Sequence, residues 1–179
     1  MKKIAVLVGS FRHGSINQRF ARALERLAAG KLQFEFIDIS ALPHYNEDLL
    51  AQKPMPAAAY KQAIAACDGV LIITPEYNRS IPGVLKNALD WGTRPYPENV
   101  WRGKPAAMAG ASGGAAGTAV AQSQLRSLLP VLDLRVMAQP EVYLQYKPDL
   151  ISDDFQITND STRGFLQGFV DKFAAFVGA

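Results

Sequence analysis

The loop after the first apolar run of the chain combines residue types that suit an anion. It covers Gly9–Asn17 and follows the apolar stretch Ile4–Val8. At the start of a helix, free backbone N–H groups and the helix dipole favour a negative charge. Short neutral donors and a planar cation suited to phosphate are supplied by Ser10, Arg12, Ser15 and Asn17.

The loop lacks the residues of two common phosphate-binding motifs, and this indicates which kind of phosphate it would bind. Gly9 and Gly14 have Walker A spacing, but Ser15 stands where that motif has the lysine that reaches the distal phosphates. Phe11 occupies the second glycine position of the dinucleotide motif G-x-G-x-x-G. A terminal monophosphate therefore fits better than a pyrophosphate. The alternative is plain helix capping, since Ser15 followed by Gln18 resembles a capping box.

Two further loops carry residues that suit a flat polar ligand. In Thr74–Gly83, Pro75 stiffens the backbone and Tyr77 offers a packing surface. The alternative for this loop is a turn with surface polar residues. The glycines of Ala111–Gly117 permit close approach to the backbone and expose N–H donors. Each of these loops alone is weak evidence for a binding site. Stronger evidence would be that all three loops meet at one end of the sheet.

Apolar runs separated by helical patterns predict the elements that position these loops. Strands are predicted at Lys3–Val8, Phe34–Ile39, Gly69–Thr74, Pro105–Gly110 and near Leu134–Ala138. Helices are predicted over about Ser15–Ala29, near Ala57–Ala66 and over Ala119–Leu129, and another is predicted to have Pro82 in its first turn. A last helix is predicted at the C-terminus, with one apolar face made of Phe165, Leu166, Phe169, Val170, Phe173 and Phe176. Tyr143–Asp160 receives no assignment.

This rhythm predicts an α/β fold with a five-stranded parallel sheet covered on both faces. It fits the flavodoxin-like three-layer sandwich with strand order 2-1-3-4-5 and a single domain over residues 1–179. Ligands of such sheets bind beyond the carboxyl ends of the strands. The three loops are therefore expected to meet at one edge.

Composition excludes several classes of function. The chain has 179 residues, 49% of them apolar, and a formal net charge of +3 without a Lys/Arg run, so nucleic acid is not an expected partner. Cys67 is the single cysteine, which excludes an internal disulfide and any multi-cysteine metal site; we expect it to pack at a helix end. No metal and no membrane partner is expected, and the protein is predicted to be soluble and cytoplasmic.

Three motifs stand out in combination. They are Gly9-Ser10-x-Arg12-x-x-Ser15-x-Asn17, Thr74-Pro75-Glu76-Tyr77-Asn78, and Ser80-x-Pro82-Gly83-x-Leu85-Lys86-Asn87-Ala88-x-Asp90-Trp91. Together they resemble the NADPH-dependent FMN reductase family, specifically its chromate/quinone reductase branch within the flavodoxin-like flavoproteins. The likeness covers nearly the whole chain and is weakest at Tyr143–Asp160.

The resemblance implies FMN as cofactor, with NADPH or NADH as co-substrate. It places the FMN phosphate at Ser10, Arg12, Ser15, Ile16 and Asn17, the isoalloxazine ring at Pro75, Glu76, Tyr77 and Asn78, and the pyrimidine edge of the ring at Ser112, Gly113 and Gly114. It also implies a homodimer or homotetramer with the flavin near a subunit interface. The segments contributing to that assembly would be those around Lys86–Trp91 and the helix carrying Arg126.

One position departs from the pattern of that branch, which often has a small or aromatic residue where this chain has Arg79. Our hypothesis is that Arg79 contacts substrate, attracting either the 2′-phosphate of NADPH or an anionic acceptor. The alternative is a solvated surface arginine.

The resulting functional prediction is an FMN-dependent NAD(P)H oxidoreductase. It would pass hydride to a small-molecule acceptor, such as a quinone, a flavin, an azo compound or a metal oxyanion, by a ping-pong mechanism. No catalytic side chain is predicted, because the sequence shows no histidine–carboxylate pairing and no nucleophile motif. Two alternatives are a flavodoxin-type electron carrier, disfavoured by the basic net charge, and a nucleotide- or phosphate-sensing binding module.

Overall fold

Continuous apolar runs form the centre of a parallel sheet, because residues buried on both faces need no alternation. The computed structural model describes residues 1–178. Its strands are β1 Lys2–Val8, β2 Leu32–Phe36, β3 Gly69–Ile73, β4 Pro105–Ser112, β5 Arg135–Val136 and β6 Tyr143–Gln145. The order is β2-β1-β3-β4-β5, and β6 pairs with β4. Every ladder is parallel. The predicted order of the sheet is confirmed.

Helices cover both faces of this sheet, as the predicted three-layer sandwich requires. They are α1 Ile16–Leu27, α2 Ala58–Ala65, α3 Gly83–Gly92, α4 Ala119–Leu128 and α5 Asp160–Gly178, with short 3₁₀ turns at Glu47–Ala51, Leu129–Leu132 and Pro148–Leu150. One hydrophobic core lies between the sheet and helices α1 and α5. The other lies between the sheet and helices α2, α3 and α4.

The fifth strand position differs from the prediction of one strand near Leu134–Ala138. Two short strands share it, with β5 pairing with the start of β4 and β6 with its end. The chain leaves the ladder after Met137, whose N–H donates to Ala106 O, and returns at Val142, whose carbonyl accepts from Gly110 N. Between these points lies Pro140, which has no N–H to donate. Part of the unassigned Tyr143–Asp160 segment thus belongs to the sheet.

Several boundaries also differ from the sequence prediction. Strand β2 ends at Phe36, whereas β4 extends to Ser112, so Ser112 ends a strand instead of lying in a loop. Pro82 is the N-cap of α3, one residue before its first turn. The predicted buried face of α5 is wrong at Phe165, which is 47% exposed. Helical spacing places Leu166, Phe169, Val170, Phe173 and Val177 toward the core.

The single thiol packs as expected at the end of a helix. Cys67 follows α2 and is only 3% exposed. Burial raises the pKa of this thiol above its ordinary value. Among residues 1–178, no helix has both the length and the apolar character needed to cross a bilayer.

Candidate active site

Three neighbouring parallel strands end at the same edge of the sheet and bring their loops together around one pocket. The pocket has a volume of about 140 Å³ and lies beyond the ends of β1, β3 and β4. It is lined by Ser10, Arg12, Ile16, Asn17, Pro75, Glu76, Tyr77, Ala111, Ser112 and Gly113. Every lining residue except Ala111 is among the predicted site residues. The predicted residues Ser15, Asn78, Gly114 and Arg79 lie in the same loops but do not line it.

A larger cavity of about 320 Å³ lies elsewhere, between β6 and the start of α5. It is lined by residues of the C-terminal segment, among them Lys147 and Asn159. None of the three loops contributes to it. The smaller pocket is therefore the one toward which the predicted binding elements converge.

In the first loop, helix capping and an anion site coexist. The hydroxyl of Ser15 caps α1 by accepting the N–H of Gln18 at 3.3 Å. The side chain of Gln18 donates to Ser10 O at 3.4 Å, so the reciprocal half of a capping box is not formed. The N–H groups of Ile16 and Asn17 stand in the first turn, where a helix offers no acceptor of its own. Capping by Ser15 thus leaves these two donors at the pocket.

Asn17 connects this loop to β4. Its side-chain nitrogen donates to Ala111 O at 2.9 Å, and its side-chain oxygen accepts Ala111 N–H at 3.0 Å. The residue is buried. Because the amide already bonds both backbone groups of Ala111, its orientation is set by β4, and the backbone N–H of Asn17 at the start of α1 is the donor best placed for a ligand. The side chain fixes the distance between the first loop and the end of β4.

The second loop is a tight two-residue turn closed by reciprocal backbone bonds. Tyr77 N donates to Ser80 O and Ser80 N donates to Tyr77 O, each at 3.0 Å. The two central residues have positive φ, 50° at Asn78 and 63° at Arg79, as in a type I′ turn. Asparagine tolerates this conformation, whereas arginine there costs about 1 kcal/mol relative to glycine. The ring of Tyr77 is 49% exposed, and its hydroxyl lies 3.4 Å from Ser10 Oγ, across the pocket.

Helix α4 holds this turn in place through Glu76. One carboxylate oxygen of Glu76 accepts the N–H groups of Val120 and Ala121, at 3.0 and 3.1 Å. The N-cap residue Thr118 makes no side-chain cap bond, so Glu76 neutralises the start of α4 from another part of the chain. Its side chain is only 8% exposed.

A second residue of α4 completes the attachment of the turn. Gln124 accepts the hydroxyl of Ser80 at 2.7 Å and donates to Arg79 O at 2.8 Å. The turn is therefore fixed at both of its ends to the same helix.

The third loop offers open space above the end of β4. A Cβ added at Gly113 would meet no atom within 4 Å, whereas one at Gly110 would lie 2.2 Å from Thr118 Oγ1 and 2.3 Å from Thr74 O. Ser112 Oγ accepts the N–H of Gly114 at 3.2 Å. The glycine in the strand is required by packing, and the one in the loop leaves room for a ligand beside the backbone.

The charges around the pocket favour an anion. Arg12 is exposed on one wall, and its side chain donates to the carbonyl of His13 at 3.3 Å. On the other side, the exposed guanidinium of Arg79 lies 3.4 Å from Glu76, an acid already compensated by α4. Over the described part of the chain, no group of three or more His, Cys, Asp or Glu side chains is placed to hold a metal ion.

These features define the class of protein. A doubly wound parallel sheet whose β1–α1 loop offers Ser10, Arg12 and helix N–H groups fits a phosphate monoester. An exposed aromatic turn and an open glycine loop beside it fit a planar ring. The two together suit a flavin mononucleotide, and the fold with this site is that of a flavodoxin-like flavoprotein.

The chain belongs to the NADPH-dependent FMN reductase family, whose model matches residues 2–149. It is 51% identical over 175 residues to the 2-hydroxy-1,4-benzoquinone reductase of a Burkholderia species, covering 98% of this chain and 96% of that protein. It is 46% identical over 175 residues to a quinone reductase of Pseudomonas putida, covering 97% of this chain and 94% of that protein.

A solved structure shows the same architecture. The flavoenzyme NAD(P)H:(acceptor) oxidoreductase FerB from Paracoccus denitrificans superposes with a TM-score of 0.97 at 46% identity, covering 99% of this chain and 98% of that chain. The chain is thus an enzyme, an oxidoreductase with FMN as cofactor and NAD(P)H as electron donor. Family membership sets aside the electron-carrier and binding-module alternatives.

Proposed function

We propose that this protein is a quinone reductase that transfers two electrons from NAD(P)H to quinones carrying a hydroxyl group. The proposal depends on one observation: a phosphate-type loop and an aromatic turn converge on a single pocket in a chain that matches a 2-hydroxy-1,4-benzoquinone reductase at 51% identity over nearly its full length. The net reaction takes NAD(P)H, a proton and a quinone to NAD(P)⁺ and a hydroquinone. Bound FMN supplies the relay for the two electrons, which no side chain of the pocket provides.

In this proposal the first loop binds the phosphate of FMN. Arg12 supplies the cation, Ser10 a buried hydroxyl, and Ile16 and Asn17 their backbone N–H groups. Ser15 contributes by capping α1, which holds those N–H groups in position.

The other two loops contact the ring system. Pro75, Glu76, Tyr77 and Asn78 would hold the ring system, and Ser112, Gly113 and Gly114 would lie at its pyrimidine edge. N–H donors at that edge would stabilise the negative charge that develops when the ring accepts electrons. Water supplies the protons, because no acid–base pair of side chains lines the pocket within residues 1–178.

We propose ping-pong kinetics, in which the coenzyme and the acceptor use the same open face beside Tyr77 in turn. Flavins, azo compounds, ferric chelates and chromate are the competing acceptors. A homodimer or homotetramer with α3 and α4 at its interface, and a cytoplasmic location where NAD(P)H is abundant, complete the proposal.

Steady-state kinetics of the FMN-loaded enzyme test it. The quinones to compare are 2-hydroxy-1,4-benzoquinone and 1,4-benzoquinone, with free FMN, an azo dye and chromate as other acceptors. We expect the highest kcat/KM for the quinones and parallel lines in double-reciprocal plots. Quinone turnover slower than that of every other acceptor would contradict the assignment of the acceptor, and intersecting lines would contradict the ping-pong order.

A further inference from the structure

Arg79 occupies a backbone position that a glycine would fill with less strain. It is the second central residue of the turn Tyr77–Ser80, with φ at 63°. The turn is otherwise well determined by its two backbone bonds and by its attachment to α4 through Gln124. A strained position that carries a long cationic side chain indicates that the side chain has a use.

The charge of Arg79 is only weakly compensated by the protein. Over residues 1–178, Glu76 is the one acidic group within ion-pair distance, with Arg79 Nη1 3.4 Å from its carboxylate. The other carboxylate oxygen of Glu76 already accepts two N–H groups at the positive end of α4. The Arg79 side chain is 73% exposed, so most of its donors face solvent.

Arg12, which lines the pocket, and Arg79, which lies on the adjacent turn, would have different surroundings once a phosphate is bound. Arg12 belongs to the first loop and would be neutralised by the phosphate of the cofactor. Arg79 stands next to Glu76 on the turn, at the side of the pocket where the ring would pack. In the loaded enzyme, the exposed guanidinium of Arg79 would therefore remain available to an incoming anionic substrate.

Building on the quinone reductase function proposed above, we infer that Arg79 determines acceptor specificity by favouring quinones that carry a negative charge. A 2-hydroxyquinone is a vinylogous carboxylic acid and is ionised at neutral pH. Its ionised oxygen and the adjacent carbonyl form a pair of acceptors that matches the two-pronged donor geometry of a guanidinium. A neutral benzoquinone of similar size lacks this interaction.

The test compares the FMN-loaded wild type with Arg79→Gly, which relaxes the turn while removing the charge, and with Arg79→Gln, which keeps much of the length. Arg102→Gln is the matched control for net charge, because Arg102 is an exposed arginine paired with Asp133 outside the pocket. The substrates are 2-hydroxy-1,4-benzoquinone and 1,4-benzoquinone.

We expect both Arg79 variants to lower kcat/KM for the hydroxyquinone about tenfold, mainly through KM, the scale of one exposed charge-assisted hydrogen bond. Turnover of 1,4-benzoquinone should stay within about twofold, as should both activities of Arg102→Gln. Added salt should weaken the preference of the wild type for the anion and leave the variants nearly unchanged. A purely structural role of Arg79 would not produce this salt dependence.

The other outcomes overturn the inference in distinguishable ways. An equal fall in kcat for both quinones would show that Arg79 acts through the shape of the turn. An unchanged ratio of the two kcat/KM values, in a wild type that reduces quinones well, would refute the specificity role alone. A wild type that reduces neither quinone while reducing other acceptors would refute the proposed function, and the inference with it.

Discussion

The loop after β1 and the turn after β3 line the same pocket but are attached to the protein in different ways. The first loop is anchored to the central sheet, since the buried Asn17 amide bonds both backbone groups of Ala111. The turn is anchored at the periphery, to α4, through Glu76 and Gln124. A change in the first loop should therefore also affect the packing of the sheet. A change in the aromatic turn can alter substrate contacts with less effect on the fold.

The largest expected effect comes from β4, whose Gly110 packs against the start of α4 and the end of β3. Gly110→Ala would place a Cβ 2.2 Å from Thr118 Oγ1 and 2.3 Å from Thr74 O. We expect a loss of about 3 kcal/mol in the free energy of unfolding, measured by urea denaturation. Gly113→Ala has free space around its Cβ. It should change stability by about 0.5 kcal/mol or less, while weakening FMN binding in a fluorescence titration. Equal destabilisation by both variants would contradict the division between strand and loop.

The anchor of the first loop is the next largest effect. Asn17→Ala leaves the N–H and C=O of Ala111 without partners in a buried setting, and we expect a loss of about 2–3 kcal/mol. Asn87 is the matched control, because its side chain likewise accepts Tyr45 N–H and donates to Pro43 O, but away from the pocket. Both alanine variants should lose stability, Asn87→Ala by less, because Pro43 O still accepts the indole N–H of Trp91 at 2.8 Å. Only Asn17→Ala should also weaken FMN binding. If the two variants bind FMN with equal affinity, Asn17 has no particular role in holding the first loop for the cofactor.

The anchor of the turn should have a smaller effect. Glu76→Gln keeps an acceptor for Val120 and Ala121 but removes the negative charge at the start of α4. We expect a loss of about 1 kcal/mol in stability and a moderate loss in FMN affinity. Glu25→Gln, which breaks an exposed pair with Arg22, is the control and should cost about 0.5 kcal/mol at most. If the two variants are equally stable, α4 does not depend on the Glu76 charge.

The smallest effect is expected at the opposite, amino-terminal edge of the sheet. The backbone N–H of Lys3 bonds Asp68 at 2.7 Å and lowers its pKa below the ordinary value of 3.8. Its stabilising contribution is therefore present above the unfolded pKa and is lost as pH falls through the lower folded pKa.

The variant Asp68→Asn tests this sign. We expect a lower Tm than wild type at neutral pH, a difference that shrinks below about pH 4, and unchanged FMN affinity. A Tm difference that grows on acidification would reverse the sign of the linkage. A change in FMN affinity would contradict the expectation that a substitution at the amino-terminal edge of the sheet leaves the pocket unaffected.

The sequence predicted the centre of the sheet well because that part depends on local pattern. Strands β1 and β3 are recognisable from their apolar runs, and α1 from its helical spacing, without tertiary information. The fifth strand position could not be predicted in the same way. Tyr143–Gln145 is a strand only because β4 continues to Ser112 and offers it a partner. Phe165 was misassigned because it adjoins the true buried stripe of α5.

For the pocket, residue types identified nearly all of the lining but not how it is held together. The partners of Asn17 and Glu76 lie 94 and 44 residues away along the chain, so no local pattern indicates them. Ala111 contributes its backbone, which leaves no signal in a side chain. The positive φ of Arg79 is likewise invisible, since Asn-Gly would be the usual sequence signal for such a turn.

The thiol of Cys67 is buried just after the end of α2 and its pKa is raised by burial, so the native chain should resist alkylating reagents. In an Arg79→Cys variant, the new thiol on the exposed turn would therefore react in preference to Cys67. A fluorophore attached to this thiol would report binding and release of ligands beside the turn, without a signal from labelled Cys67.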